Sequence, residues 1–204
     1  MLLHKRLEEY NLILASASPR RRQLLADCGI NFTLADKFEC DESFPSTLAC
    51  DQVAEYISTL KSNAYPIALD AKDILLTADT VVIAQDRILG KPIDRAQAVE
   101  MLEMLSGNRH SVVTGVTIRS ANCTHSFSVK SSVTFRTLTK EEIEYYIDNY
   151  RPFDKAGAYG IQEWIGYVAI ESIEGSFFNV MGLPVQRLYV ELGEFVEANL
   201  LNSK

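Results

Sequence analysis

Apolar positions along the chain group into short runs and helical stripes separated by turn residues. "LILA" (residues 12–15) is an unbroken apolar run of strand length. Ser18 and Pro19 follow as an N-cap and a first helical position. Leu24, Leu25 and Cys28 supply the stripe of that helix, and Gly29 is a natural stop. A second helix fits residues 49–65. "DILLTADTVVIA" (Asp73–Ala84) reads as a long, largely buried strand, and "QDR" turns it into a short return strand, "ILG". Asp94 with Gln97 forms a capping box for a helix to about Leu105, closed by Ser106 and Gly107. "HSVVTGVTIRS" and "THSFSVKSSVTFRTL" pair as strands around the "ANC" turn. Thr139 and Glu142 cap the helix "KEEIEYYIDNY", the Gly-rich "DKAGAYGIQ" follows, "YVAIESI" reads as a strand, and Pro184 opens a last helix. Helices and strands alternate while long hairpins interrupt them, so the pattern predicts an α/β fold on a mixed sheet.

Composition narrows the class. A chain of 204 residues, 47% hydrophobic, buries a substantial core as one domain or two closely joined lobes. It has no run of about 18 apolar residues, so no membrane span is expected. The start "MLLHKRLEEYN" lacks a long apolar stretch, so no signal peptide is expected either. Cys28, Cys40, Cys50 and Cys123 are scattered without a CxxC pair and read as reduced thiols of a cytoplasmic protein. His4, His110 and His125 are dispersed and read as structural or surface groups. The net charge of −7 argues against a general nucleic-acid coat and makes any local basic cluster more informative.

One such cluster is "SASPRRR" (residues 16–22), where three arginines sit at the positive end of a helix. Arg21, Leu24, Leu25 and Cys28 are spaced i, i+3, i+4, i+7, so Arg21 faces inward. Serine hydroxyls, free backbone N–H groups and a guanidinium converging there form an anion site; the alternative is a plain Ser-Pro cap with solvated arginines. Asp79 lies within the apolar "LLTADTVVI", where an unpaired carboxylate costs several kcal/mol, so it needs a cation, a metal or a strand end opening on a cleft. Either catalysis or a buried aspartate that ties down backbone N–H groups satisfies that demand. Strand alternation puts Asp79 and Thr80 on opposite faces, so one ligand touches both only if the strand bulges or ends there. Lys91 in "GKP" is placed to meet a phosphate, while Lys61 is a weaker candidate by pattern. Asp41 and Glu42 form an acidic pair of the kind that holds Mg²⁺ with substrate phosphates, or simply a solvated loop. In "FDKAGAYGIQ", Gly157 and Gly160 allow close backbone approach, Lys155 precedes them, and the Gln162 amide suits a base edge showing a carbonyl beside an N–H.

Taken in order, "LILASASPRR", "DE", "TADTVV", "GKP", "LSGNRHSVVTGV", "VTFRTL", "DKAGAYGIQ" and "GSFFNVMGLP" resemble the Maf family of nucleoside triphosphate pyrophosphatases, from about Leu12 to Leu192. The resemblance implies an elongated mixed sheet with helices, two lobes and a central cleft, as in inosine triphosphate pyrophosphatases, with residues 1–204 as one Maf-like domain. It implies a cytoplasmic homodimer that hydrolyses a nucleotide to monophosphate and pyrophosphate with Mg²⁺ or Mn²⁺, and binds neither nucleic acid nor membrane. The family's proton acceptor falls on Asp79, its specificity positions on Arg21, Thr80 and Gln162. Its phosphate contacts fall on Ser16, Arg20, Lys61, Lys91 and Lys155, and its metal carboxylates on Glu42 and Asp79. "ADT" and "GIQ" resemble the dTTP/UTP branch rather than the 7-methyl-GTP branch. A nucleotide-sensing regulator of septum formation is the competing class, and a carboxylate beside a triphosphate argues against a pure binder.

Overall fold

The computed structural model describes residues 2–202, with side chains through residue 198. In chain order the elements are α1 (Leu3–Leu7), β1 (Asn11–Leu14), α2 (Pro19–Asp27), β2 (Thr33–Leu34), α3 (Val53–Asn63), β3 (Asp73–Ala84), β4 (Arg87–Leu89), α4 (Arg95–Leu105), β5 (Arg109–Arg119), β6 (Thr124–Phe135), α5 (Lys140–Tyr150), α6 (Trp164–Ala169), β7 (Ile170–Glu174), α7 (Phe177–Met181) and α8 (Val185–Asn202). Seven strands form one sheet in the order β2-β1-β3-β5-β6-β7, with β4 added beside β3. Pairing is parallel among β2, β1 and β3 and antiparallel elsewhere, the mixed α/β architecture expected. No helix among the described residues is long and apolar enough to cross a membrane.

The local signals explain most boundaries. Ser18 caps α2 by accepting the Arg21 N–H, and Thr139 with Glu142 forms the reciprocal capping box of α5. At α4 only half of the expected box exists: Asp94 accepts from the Gln97 N–H, but the Gln97 side chain takes the Ile93 N–H instead. The helix expected over 49–65 begins as a 3₁₀ turn at Cys50–Gln52, and its α-helical part is α3. "YVAIESI" is split. Its first half closes α6, because Ile165 and Ala169, four residues apart, are both fully buried on one side of that helix. Only the second half joins the sheet, as β7.

β3 organises the core. Its even-numbered residues face two clusters: Ile74, Leu76 and Ala78 pack with α1, α2 and α8, while Val82 and Ala84 pack with α4, α5 and α6. These are the two largest core clusters, where the resemblance implied two lobes. The odd face is covered by α3, whose Val53, Ala54 and Ile57 pack on Val81 and Val113. α3 lies very close to β5, because a Cβ on Gly115 would sit 2.2 Å from the Glu55 backbone nitrogen.

His110, on β5, is buried in the second cluster, with its Nε2 2.8 Å from the Tyr159 hydroxyl and its ring edge-on to Phe135. Desolvation pushes its pKa down from 6.5 to about 4. The unfolded chain therefore binds a proton that the folded chain refuses between those values, and stability falls as the pH is lowered through that window. We expect a loss of up to about 3 kcal/mol between pH 7 and pH 4 from this residue. Urea midpoints for wild type and His110→Gln check it: an acid limb equally steep in both would refute the assignment.

Candidate active site

β1 pairs with β3 only as far as Leu76, and β4 returns only as far as Val82. Residues 77–81 of β3 thus have a strand, β5, on one edge alone. Register against β5 runs without a shift through Asp79 and Thr80, so the strand neither bulges nor ends there. The two side chains leave on opposite faces of a strand whose other edge is left uncovered between Leu76 and Val82.

Arg21 closes part of that edge from α2. Its Nη1 donates to the Ala78 carbonyl at 2.9 Å, Nη2 to the Thr80 hydroxyl at 3.0 Å and Nε to the Gly182 carbonyl at 2.8 Å, with the Ser16 hydroxyl 3.5 Å away. Partial burial lowers its pKa, while the charge of Asp79 opposes that shift. Thr80 passes the network on to Thr114, whose hydroxyl donates to the carbonyl of buried Asn179 on α7. The inward face read for Arg21 is correct, and most of its donors hold protein.

On the other face, Lys61 Nζ lies 2.7 Å from Asp79 Oδ1 and 3.2 Å from Glu42 Oε2. The helical spacing Ala54, Ile57, Ser58, Lys61 places this lysine on the buried stripe of α3, a signal stronger than its sequence motif. The two carboxylates converge on one cation. Their oxygen donors fit a hard divalent ion that takes one or two carboxylates and completes its shell with phosphate and water. Among the described residues no group of three His, Cys, Asp or Glu could hold a metal ion by itself.

A third group crosses between the two clusters. Arg20 Nη1 is 3.0 Å from Asp154 Oδ2, and Lys155 Nζ is 2.6 Å from Asp154 Oδ1 and 3.0 Å from Glu163 Oε1. Burial alone would raise the Asp154 carboxyl pKa, but hydrogen bonds from Lys155 and Arg20 outweigh it and hold the group below its usual value. The segment is compressed: Gly157, at φ +67°, packs against Val82, and its N–H donates to the Gly90 carbonyl. That bond draws the "GKP" loop to the site, while the exposed Lys91 ammonium makes no hydrogen bond among the described residues. Gln162 Oε1 is shut off from water with no hydrogen-bond partner. Asp154, Glu163 and Tyr146 belong to this network and Asn179 to that of Thr80 and Thr114, and sequence patterning did not single them out. Asn179 followed two phenylalanines and carried no polar spacing, whereas Asp154 and Glu163 flanked motif residues already noted.

Lysines and an arginine gathered near an open strand edge, with the Asp79 carboxylate paired to one of them, form a site of the kind that handles nucleotides or phosphates. The chain belongs to the Maf family: the model for Maf-like protein matches residues 11–195. It is 49% identical over 186 residues to the dTTP/UTP pyrophosphatase of Bacteroides thetaiotaomicron, covering 91% of this chain and 96% of that one. It is 50% identical over 195 residues to the dTTP/UTP pyrophosphatase of Porphyromonas gingivalis, covering 95% and 98%. The solved structure of a HAM1 protein from Coxiella burnetii aligns over 91% of this chain and 99% of its own, at 14% identity and a TM-score of 0.45.

Replacing Arg21 by Met strands the Ala78 and Gly182 carbonyls. We expect about 2–4 kcal/mol of lost stability, read as a lowered denaturant midpoint, with Lys restoring only part. A Met variant as stable as wild type would show that the clamp contributes nothing.

Proposed function

We propose that this chain hydrolyses dTTP, UTP and related pyrimidine nucleoside triphosphates to the monophosphate and pyrophosphate. The observation that carries the reading is the Asp79 carboxylate at the open edge of β3, held by Lys61, with Arg21 of the α2 N-terminus bonded to the neighbouring Thr80 hydroxyl. The pyrophosphatase names of relatives at 49% and 50% identity support it.

In this reading Arg20, Lys61, Lys91 and Lys155 take up phosphate charge, helped by Ser16 at the start of the α2 loop. Asp79 Oδ1 holds Lys61, and Oδ2 is available to accept the proton of an attacking water. Glu42 and Asp79 would hold Mg²⁺ or Mn²⁺, which when bound polarises the phosphate oxygens and neutralises charge on the leaving group. Pyrophosphate leaves from the α-phosphorus. Gln162, with its carbonyl oxygen unpartnered, reads the pyrimidine together with Thr80 and Arg21. The free cysteines fit work in a reducing cytoplasm, and a single seven-stranded sheet beneath the matched region supports one Maf-like domain.

The test is a nucleotide panel with Mg²⁺, assayed for pyrophosphate. Wild type should release pyrophosphate first, with pyrimidine triphosphates preferred, and Asp79→Asn should lose about a hundredfold or more in kcat while keeping its thermal midpoint. Near wild-type turnover in that variant would remove Asp79 from the base role, and orthophosphate as first product would contradict the reaction. Gln162→Ala should flatten the ranking of bases more than it slows UTP; an unchanged ranking would take Gln162 out of base recognition.

A further inference from the structure

Lys155 is a lysine whose side chain is only 9% exposed. A buried ammonium needs carboxylate partners or it loses its charge or leaves. Asp154, one of its partners, is 57% exposed and shared with Arg20. The other, Glu163, is 19% exposed and itself tied down. Its Oε2 accepts the Tyr146 hydroxyl, and that hydroxyl in turn accepts the Gly160 N–H at 3.0 Å. Tyr146 is fully buried in α5, and burial followed by its bond to Glu163 drives its pKa well above the usual value, so it stays a donor. Gly160 leaves room for the assembly: a Cβ there would lie 2.8 Å from Gln162 Nε2, 3.0 Å from Lys155 Cε and 3.1 Å from Glu163 Cδ.

We propose that Glu163, locked by Tyr146, is a positioning residue that holds the Lys155 ammonium in place beside Asp154 and Arg20 for the substrate's phosphates. This rests on the nucleotide reading above. Glu163 acts through Lys155 and makes no contact with substrate. Its effect belongs to polyphosphate binding, hence to KM more than to kcat. Electrostatics without positioning predicts the opposite sign, since removing a negative charge beside a polyanion would tighten binding.

The experiment uses the full chain as wild type, Glu163→Gln, Tyr146→Phe, Lys155→Met and the Lys155→Met/Glu163→Gln double variant. Two quantities are read with Mg²⁺: calorimetric affinity for inorganic tripolyphosphate, and KM and kcat for pyrophosphate release from UTP. Glu163→Gln should weaken tripolyphosphate and raise KM by about tenfold, with kcat within about threefold, and Tyr146→Phe should shift both by about threefold in the same direction. In the Lys155→Met background, Glu163→Gln should change either quantity by less than about twofold. Equal or tighter binding by Glu163→Gln overturns the proposal, as does an undiminished effect in the Lys155→Met background. A wild type that binds tripolyphosphate but releases no pyrophosphate from any nucleotide overturns the hydrolase reading, while the tripolyphosphate cycle still decides the role of Glu163. A wild type that binds no polyphosphate overturns both.

Discussion

A backbone carbonyl without a strand partner sets the geometry of this site. β1 leaves β3 after Leu76, and β4 joins only at Val82, so the carbonyl of Ala78 has no ladder bond on that edge. Leaving such a group buried and unpaired costs about 1–3 kcal/mol. Arg21 answers it, and the same guanidinium holds Thr80 and the Gly182 carbonyl ahead of the last helix. Fixing Arg21 fixes the N-terminus of α2, and that brings Arg20 within ion-pair reach of Asp154. The inward arginine, unfavourable at a helix N-terminus by dipole alone, is held there by three strong acceptors.

Three cations of the site are paired before any ligand arrives. Arg20, Lys61 and Lys155 are each within ion-pair distance of a carboxylate, and together they face four: Asp154, Asp79, Glu42 and Glu163. Three cations against four anions give this set a net charge of −1. Pairs of this kind, each with one half-exposed or partly buried partner, contribute little net stability, because desolvation and screening offset attraction. Their consequence is preorganisation: long side chains are already fixed where they are needed. A triphosphate would have to share these cations with the resident carboxylates, and a divalent ion arriving with it reverses the local balance.

Much of this was readable from residue order, for identifiable reasons. β3 was legible to its ends because both faces are largely buried and apolar residues fill most of its length on either side of "TADT". α5 was legible because its capping box is local. α1 and α7 escaped because each is five residues long and held by tertiary contacts, Leu3 and Leu7 against α8 and Asn179 against β5 and β6, with little local signal. "YVAIESI" misled because its alternation is genuine only from Ile170 onward, while burial of Ile165 and Ala169 draws the preceding turn into a helix. Among site residues, Asp79 and Arg21 stood out because a charge in an apolar context demands explanation. Glu163 and Asp154 did not, because acidic residues beside a Gly-rich loop look solvated until the lysine between them is seen to be buried.

One glycine shows how sheet and site are coupled. Gly115 interrupts the β-branched run "VVTGVT" at the position that is the register partner of Asp79. With no side chain there, α3 settles against β5, its backbone at Ala54 and Glu55 filling the space a Cβ would take. Two turns further along, about 10 Å at 1.5 Å per residue, the same helix face presents Lys61. The helix must lie this low for an ammonium on that face to bond Asp79 at 2.7 Å. A larger residue at 115 would lift α3 off the sheet, lengthen that contact and leave the Asp79 carboxylate without its cation in a largely apolar strand. The glycine and the aspartate are therefore one requirement written on two neighbouring strands: the first sets the height of the helix, and the helix supplies the charge that makes the second tolerable.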